Sequence, residues 1–138
     1  MNGGMDYGEF EQLAKNFKQL MKDYNKFLGD FLVKEGNKNL ADVKRNTPGP
    51  NSTGRLRNSW KLSGPFKRGD TRYVVVHTNV KYAPWVENGH RIVNQYGTYG
   101  WQPGKHMAKN ALFRTELNLD KNFNKAFNNF CRTRGIGK

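Results

Sequence analysis

Cysteine is nearly missing from this chain: Cys131 stands alone among 138 residues. One thiol excludes an intrachain disulfide framework, and a reducing compartment is the expectation. Long apolar runs are missing as well. No stretch approaches the ~20 residues of a membrane span, so no membrane partner is expected. The segment Met1-Asn2-Gly3-Gly4-Met5-Asp6 lacks the basic-then-apolar layout of a secretory signal. Hydrophobic content is low at 36%, yet nine Phe, six Tyr and three Trp supply bulky core material. Disordered chains are poorer in aromatics, and this length suits one domain with a single modest core.

Catalytic constellations are missing too. His77, His90 and His106 make no metal-ligand spacing with Cys131 or a carboxylate pair. No metal site and no cofactor is therefore expected. In the basic two thirds of the chain, carboxylates are confined to Asp70, Glu87, Glu116 and Asp120. Neither Ser59 nor Ser63 sits in a nucleophile turn. The run Gly97-Thr98-Tyr99-Gly100 is not closed by the Gly-Lys-Ser/Thr of a phosphate loop. A small nuclease would have only His77, His90 and Glu87 to work with. The chain reads as a structural or binding protein with no catalytic residues, not an enzyme.

Positive charge is plentiful. With 24 Lys and Arg against 11 Asp and Glu, the formal net charge is +13. Residues 1–46 are nearly balanced, with 8 basic and 7 acidic side chains, whereas 47–104 and 105–138 each carry 8 against 2. Such an excess fits contact with nucleic acid or an acidic protein surface, and also fits solubility alone.

Periodicity sets the expected elements. Phe10, Leu13, Phe17, Leu20, Tyr24, Phe27 and Phe31 recur at alternating spacings of three and four, the signature of one helix face. The stripe suits a coiled-coil seam or packing on a sheet, and its Phe content favours the sheet. Gly29 and Gly36 weaken the helix by ~1 kcal/mol each relative to Ala. A bend or restart near Gly36 is expected, then an end before Pro48. Residues 47–54 form a loop rich in Pro and Gly. Ser59–Phe66 and Arg72–Asn79 read as strands joined through Lys67-Arg68-Gly69-Asp70. Tyr82–Asn88 reads as a short helix with Pro84 in its first turn and Gly89 as its stop. Residues 91–104 form a hairpin around Gly97 or a mobile loop. Helical spacing returns from Lys105 to Phe130. The expected fold is α+β: N-terminal and C-terminal helices packed on a small antiparallel sheet, in a single domain. Its segments are 1–46 (N-terminal helix), 47–90 (strand core), 91–104 (variable loop or hairpin) and 105–138 (C-terminal helix and tail).

Two blocks then stand out. Thr53-Gly54-Arg55-Leu56-Arg57-Asn58-Ser59-Trp60 resembles a "Thr-Gly-x-Leu-Arg-x-Ser" signature, and Tyr82-Ala83-Pro84-Trp85-Val86-Glu87-Asn88-Gly89-His90 resembles a "Tyr-Ala-x-x-Val-Glu-x-Gly" block. Both are similar to those of the tail-completion, or neck, proteins of long-tailed double-stranded DNA phages, also called minor capsid or minor tail components. Pro103-Gly104 followed by Met107 to Leu112 matches that family's proline-led entry into its last helix. Trp60 departs from the pattern, where an aliphatic residue is commoner.

The resemblance implies a virion protein of the head–tail junction, made in the cytoplasm of the bacterial host. It implies a homo-oligomer, a hexameric ring around the DNA path. Its neighbours would be the head connector or stopper on one side and the tail terminator or tail tube on the other. Arg55, Arg57, Trp60, Tyr82, Trp85 and Glu87 are the candidate interface or sheet-anchoring residues. Glu87 is expected to pair with an arginine such as Arg55 or Arg57, in the same subunit or a neighbour, or to be a plain surface charge. Lys67, Arg68, Arg91 and Lys105 are candidates for non-specific contact with packaged DNA or with a partner. Tyr96, Tyr99 and Trp101 mark a variable contact loop. The alternative is a sequence-independent DNA-binding protein working through its basic, aromatic surface.

Overall fold

A computed structural model of the protein describes residues 6–47, 54–94 and 97–136. The chain runs α1 (Tyr7–Asn46), α2 (Arg55–Ser59), β1 (Lys61–Arg68), β2 (Thr71–His77), α3 (Ala83–Asn88), β3 (Gly89–Asn94), β4 (Gly97–Pro103) and α4 (Met107–Thr133). The architecture is mixed α+β in one domain. β1 pairs antiparallel with β2, and β3 with β4, as two separate two-stranded sheets.

α1 starts where Asp6 accepts a hydrogen bond from the Glu9 amide at 2.7 Å, capping one of the orphan N–H groups of the first turn. It continues unbroken for 40 residues. The helix does not restart at Gly36, and the reason is packing. A Cβ built on Gly36 would lie 2.8 Å from Leu62 Cδ1 and 2.9 Å from Val74 Cγ2. Glycine here brings the helix down onto the β1–β2 hairpin, and that contact outweighs its poor helix propensity. At the far end Thr47 closes the helix, its hydroxyl donating to the Val43 carbonyl at 2.7 Å. Pro48 and the loop beyond it, to Thr53, lie outside the described residues.

The aromatic stripe of α1 does not face a sheet. Tyr24, Phe27 and Phe31 meet Phe123, Phe127 and Phe130 of α4, with ring centroids 4.9–6.3 Å apart. The preference for sheet packing is thus corrected to an antiparallel helix pair. Periodicity reports which face is buried, and is silent on what covers it. Polar contacts fix the register of the pair: Asn46 to the Met107 carbonyl, Asn39 to Thr115, Asn122 to Glu35, and Arg134 to Asp23.

The core gathers at one end of this pair. Val43 of α1, Leu56 of α2, Trp60, Val80, Ala83 of α3, and Met107 and Ala111 of α4 form a single buried cluster. The short helices therefore pack around the C-terminal end of α1 and the N-terminal end of α4, while the β1–β2 hairpin runs along α1 from there to Asn25.

Candidate assembly surface

Both signature blocks fold into this cluster. The five-residue α2, not foreseen in the sequence, buries Leu56, and Trp60 follows at its C-cap. Arg57 donates to the Thr47 carbonyl at 2.8 Å, tying α2 to the end of α1. A hydrogen-bond relay runs on from there. The Val80 amide donates to Thr78 Oγ1, Thr78 and Ser59 share a hydrogen at 2.5 Å, and Ser59 donates to the Leu56 carbonyl. Because Thr78 accepts from an amide and Ser59 gives its proton to a carbonyl, the shared hydrogen belongs to Thr78.

Glu87 has a defined role. α4 begins at His106, a left-handed N-cap whose side chain makes no capping bond. The Glu87 carboxylate takes over that function from across the fold, accepting from the Ala108 and Lys109 amides at 3.0 Å each. A negative group at a helix N-terminus meets both orphan N–H groups and the positive end of the helix dipole. The expected arginine partner is replaced by a helix end, and among the described residues Glu87 makes no ion pair with Arg55 or Arg57. The Val86 and Glu87 carbonyls also accept from the Lys105 and His106 amides at 2.7 and 3.1 Å. Two glycines permit this approach. A Cβ on Gly104 would sit 2.3 Å from the Glu87 carbonyl oxygen, and one on Gly89 would sit 2.6 Å from that of Gln102.

The remaining candidates lie on the surface. Arg55, Tyr82 and Trp85 are exposed, Trp85 to 64%. Trp101 is 57% exposed on β4, Tyr99 lies in the same strand, and Tyr96 is outside the described residues. Residues 91–104 are resolved in favour of the hairpin, whose first strand already begins at Gly89. Lys67, Arg68, Arg91 and Lys105 are all exposed but do not form one patch. The tip carrying Lys67 and Arg68 is level with Asn25, to which Arg72 donates. Lys105 precedes the start of α4, level with Asn46. About 30 Å of helix separates the two sites at 1.5 Å per residue.

Two features escaped the sequence. Lys26, Lys34 and Lys38 of α1 join Lys125, Arg132 and Arg134 around a groove of about 670 Å³ that also holds Asp23, Asp30 and Glu35. The even charge balance of residues 1–46 concealed this, because the lysines gain their cationic neighbours only across the helix pair. The second feature is an overhang. α4 ends beside Asp23, where Arg134 forms an ion pair at 3.3 Å and lies 4.7 Å over the Phe130 ring. α1 continues from Gln19 back to Tyr7, about 18 Å further, and over that length the large apolar side chains of its stripe are all exposed. Tyr7 is 77% exposed, Phe10 61%, Leu13 53% and Phe17 62%. A smaller exposed apolar group, Leu112, Phe113 and Leu117, lies on α4. Among the described residues no helix is long and apolar enough to cross a membrane, and no cluster of His, Cys, Asp or Glu is placed to hold a metal ion.

No curated protein and no solved structure matches the chain. One family model does, over residues 11–89, described as "Bacteriophage HK97-gp10, putative tail-component". That match takes in the stripe of α1 from Leu13 onward, both strands of the first hairpin and both signature blocks up to Gly89, and by it the chain belongs to the HK97-gp10-like family of phage tail components.

Proposed function

We propose that the protein is a structural component of the phage head–tail junction. It assembles as a ring, most simply a hexamer, that joins the head connector or stopper to the tail terminator or tail tube around the DNA path. The observation that carries this reading is the bare stripe of α1. The residues Tyr7, Phe10, Leu13 and Phe17, with Met21, leave roughly 500 Å² of apolar surface in water, given 150–250 Å² for a buried aromatic side chain. That is towards the upper end of the ~300–600 Å² of the largest apolar patch on a typical monomer, where such patches mark interaction sites, and it approaches the ~800 Å² per partner of a stable interface. Burying it against other virion subunits removes the cost, as a tail component must do.

Arg55, Tyr82, Trp85 and Trp101 are available for contacts with neighbouring rings, while Arg57, Trp60 and Glu87 act by holding the subunit in shape. Lys67, Arg68, Arg91 and Lys105 face the lumen in this reading, where weak phosphate contacts would let the genome pass. Cryo-electron reconstruction of purified virions is the test. A ring of this chain at the neck is the expected result; a chain absent from particles, or present only at the distal tail, overturns the proposal.

A further inference from the structure

Resting on that ring, we infer that the α1 overhang of one copy docks in parallel on the outer face of α4 in the next. The subunit cannot satisfy its own overhang. Phe113 lies at the level of Asn39 and Asp42, which contact Thr115 and Arg114, about 35 Å along α1 from Phe17. A stripe at one end of the helix pair and an apolar face towards the other make a head-to-tail contact, the type that closes into a ring when its rotation allows.

Charge order selects this occupant. Phe113, Leu117, Lys109, Glu116 and Asp120 are all exposed on α4, and at about 100° per residue they fall within one sector of about 100° around its axis. Along that sector the sequence reads Lys109, then Glu116, then Asp120; along one flank of the overhang and the turn after it, it reads Glu11, then Lys18, then Lys22. The spacings are seven and four residues in both, with opposite signs at every position. Set side by side in parallel, Glu11 meets Lys109, Lys18 meets Glu116 and Lys22 meets Asp120. In the same register Phe113 falls between the heights of Leu13 and Phe17, and Leu117 just beyond Phe17, so the apolar side chains interleave. None of these six charges has an ion-pair partner within the subunit among the described residues. Two overhangs in parallel would set Glu11 on Glu11 and lysine on lysine, which disfavours that pairing.

Two double variants test the inference by analytical ultracentrifugation and native mass spectrometry: Leu13→Asp/Phe17→Asp on the overhang, and Phe113→Asp/Leu117→Asp on α4. Each alone should self-associate at least about tenfold more weakly than the wild type, with unchanged helical circular dichroism. Mixed in equal amounts they should form a discrete one-to-one dimer, because each keeps one intact surface. As a second route, Lys18→Cys and Glu116→Cys in a Cys131→Ser chain should cross-link between copies on oxidation. Wild-type rings that persist in the α4 variant, or an absence of chains linked through those two introduced thiols, would overturn this docking and leave the ring intact. A wild type that stays monomeric at every concentration also overturns the docking, and the virion reconstruction then decides the ring separately.

Discussion

Glu87 caps a helix to which it does not belong: its Oε1 accepts from the Ala108 amide at 3.0 Å, across 21 residues of chain. Conventional capping residues sit at the helix start, but here that position holds His106 in a left-handed conformation. Replacing Glu87 with Ala leaves two α4 amides without their acceptor. Loss of about 1–2 kcal/mol in urea unfolding is expected. Glu87→Gln, which keeps an acceptor but gives up the charge, should lose about half as much.

Two glycines of α1 should respond to alanine with opposite signs. At Gly29 the new Cβ would lie 3.6 Å from Pro65 Cγ, an ordinary contact. The gain in helix propensity then prevails, adding about 0.5–1 kcal/mol. At Gly36 the Cβ would press into Leu62 and the β-branched Val74, and overpacking outweighs the propensity gain for a net loss of about 1 kcal/mol. Thermal melts of the two single variants check both directions.

Gly104 offers no such compromise, since its Cβ would meet backbone, which cannot rotate aside. Gly104→Ala should cost about 3 kcal/mol or more and release the start of α4, seen as rapid amide exchange at Ala108 and Lys109.

Along the α1 stripe, position decides the effect. Phe27 touches five aromatic rings, among them Phe130 at 4.9 Å. Phe27→Ala should cost about 3 kcal/mol in the isolated subunit. Phe10→Ala, at the bare end, should change subunit stability by less than about 0.5 kcal/mol while weakening assembly, a contrast that unfolding and sedimentation measure side by side.

Trp60 is buried, yet its Nε1 has no hydrogen-bond partner among the described residues. An orphaned donor costs about 1–3 kcal/mol, so Trp60→Phe should recover part of what it loses in volume and stay within about 1 kcal/mol of wild type. Trp60→Ala, which leaves a cavity, should cost about 3–5 kcal/mol. Chemical denaturation of both variants separates the two effects.

Much of the fold could be read from local pattern. The phase of the α1 stripe, the first hairpin, the short helix over Pro84 and the return of helical spacing after Lys105 all follow from side-chain period and turn chemistry. What escaped depends on distance in space. Phe27 looks the same in sequence whether a sheet or α4 covers it. Gly36 reads as a weak point until Leu62 and Val74 are seen beneath it. Glu87 sits among aromatic and basic neighbours in sequence, which suggested an arginine, whereas its partners are backbone amides that carry no residue-type signal. α2 escaped because five residues are too few to show a period. The overhang is the instructive case: Phe10 and Phe27 belong to one unbroken pattern, and only the length of α4 decides that one is covered and the other bare.

The crossing of Gly89 and Gly104 has a mechanical consequence. The base of the β3–β4 hairpin is locked by Gly89 facing Pro103, by the Lys105 and His106 amides, and by the Glu87 carboxylate. Among the described residues, neither strand beyond that pinch contributes to the buried cluster, so the hairpin stands to the core as a blade to its handle. Lengthening the tip changes only loop-closure entropy, about 0.6 kcal/mol per doubling, and leaves the register of α4 untouched. The hairpin can therefore be exchanged like a tool bit, so that what the subunit touches can diverge while how it folds stays fixed.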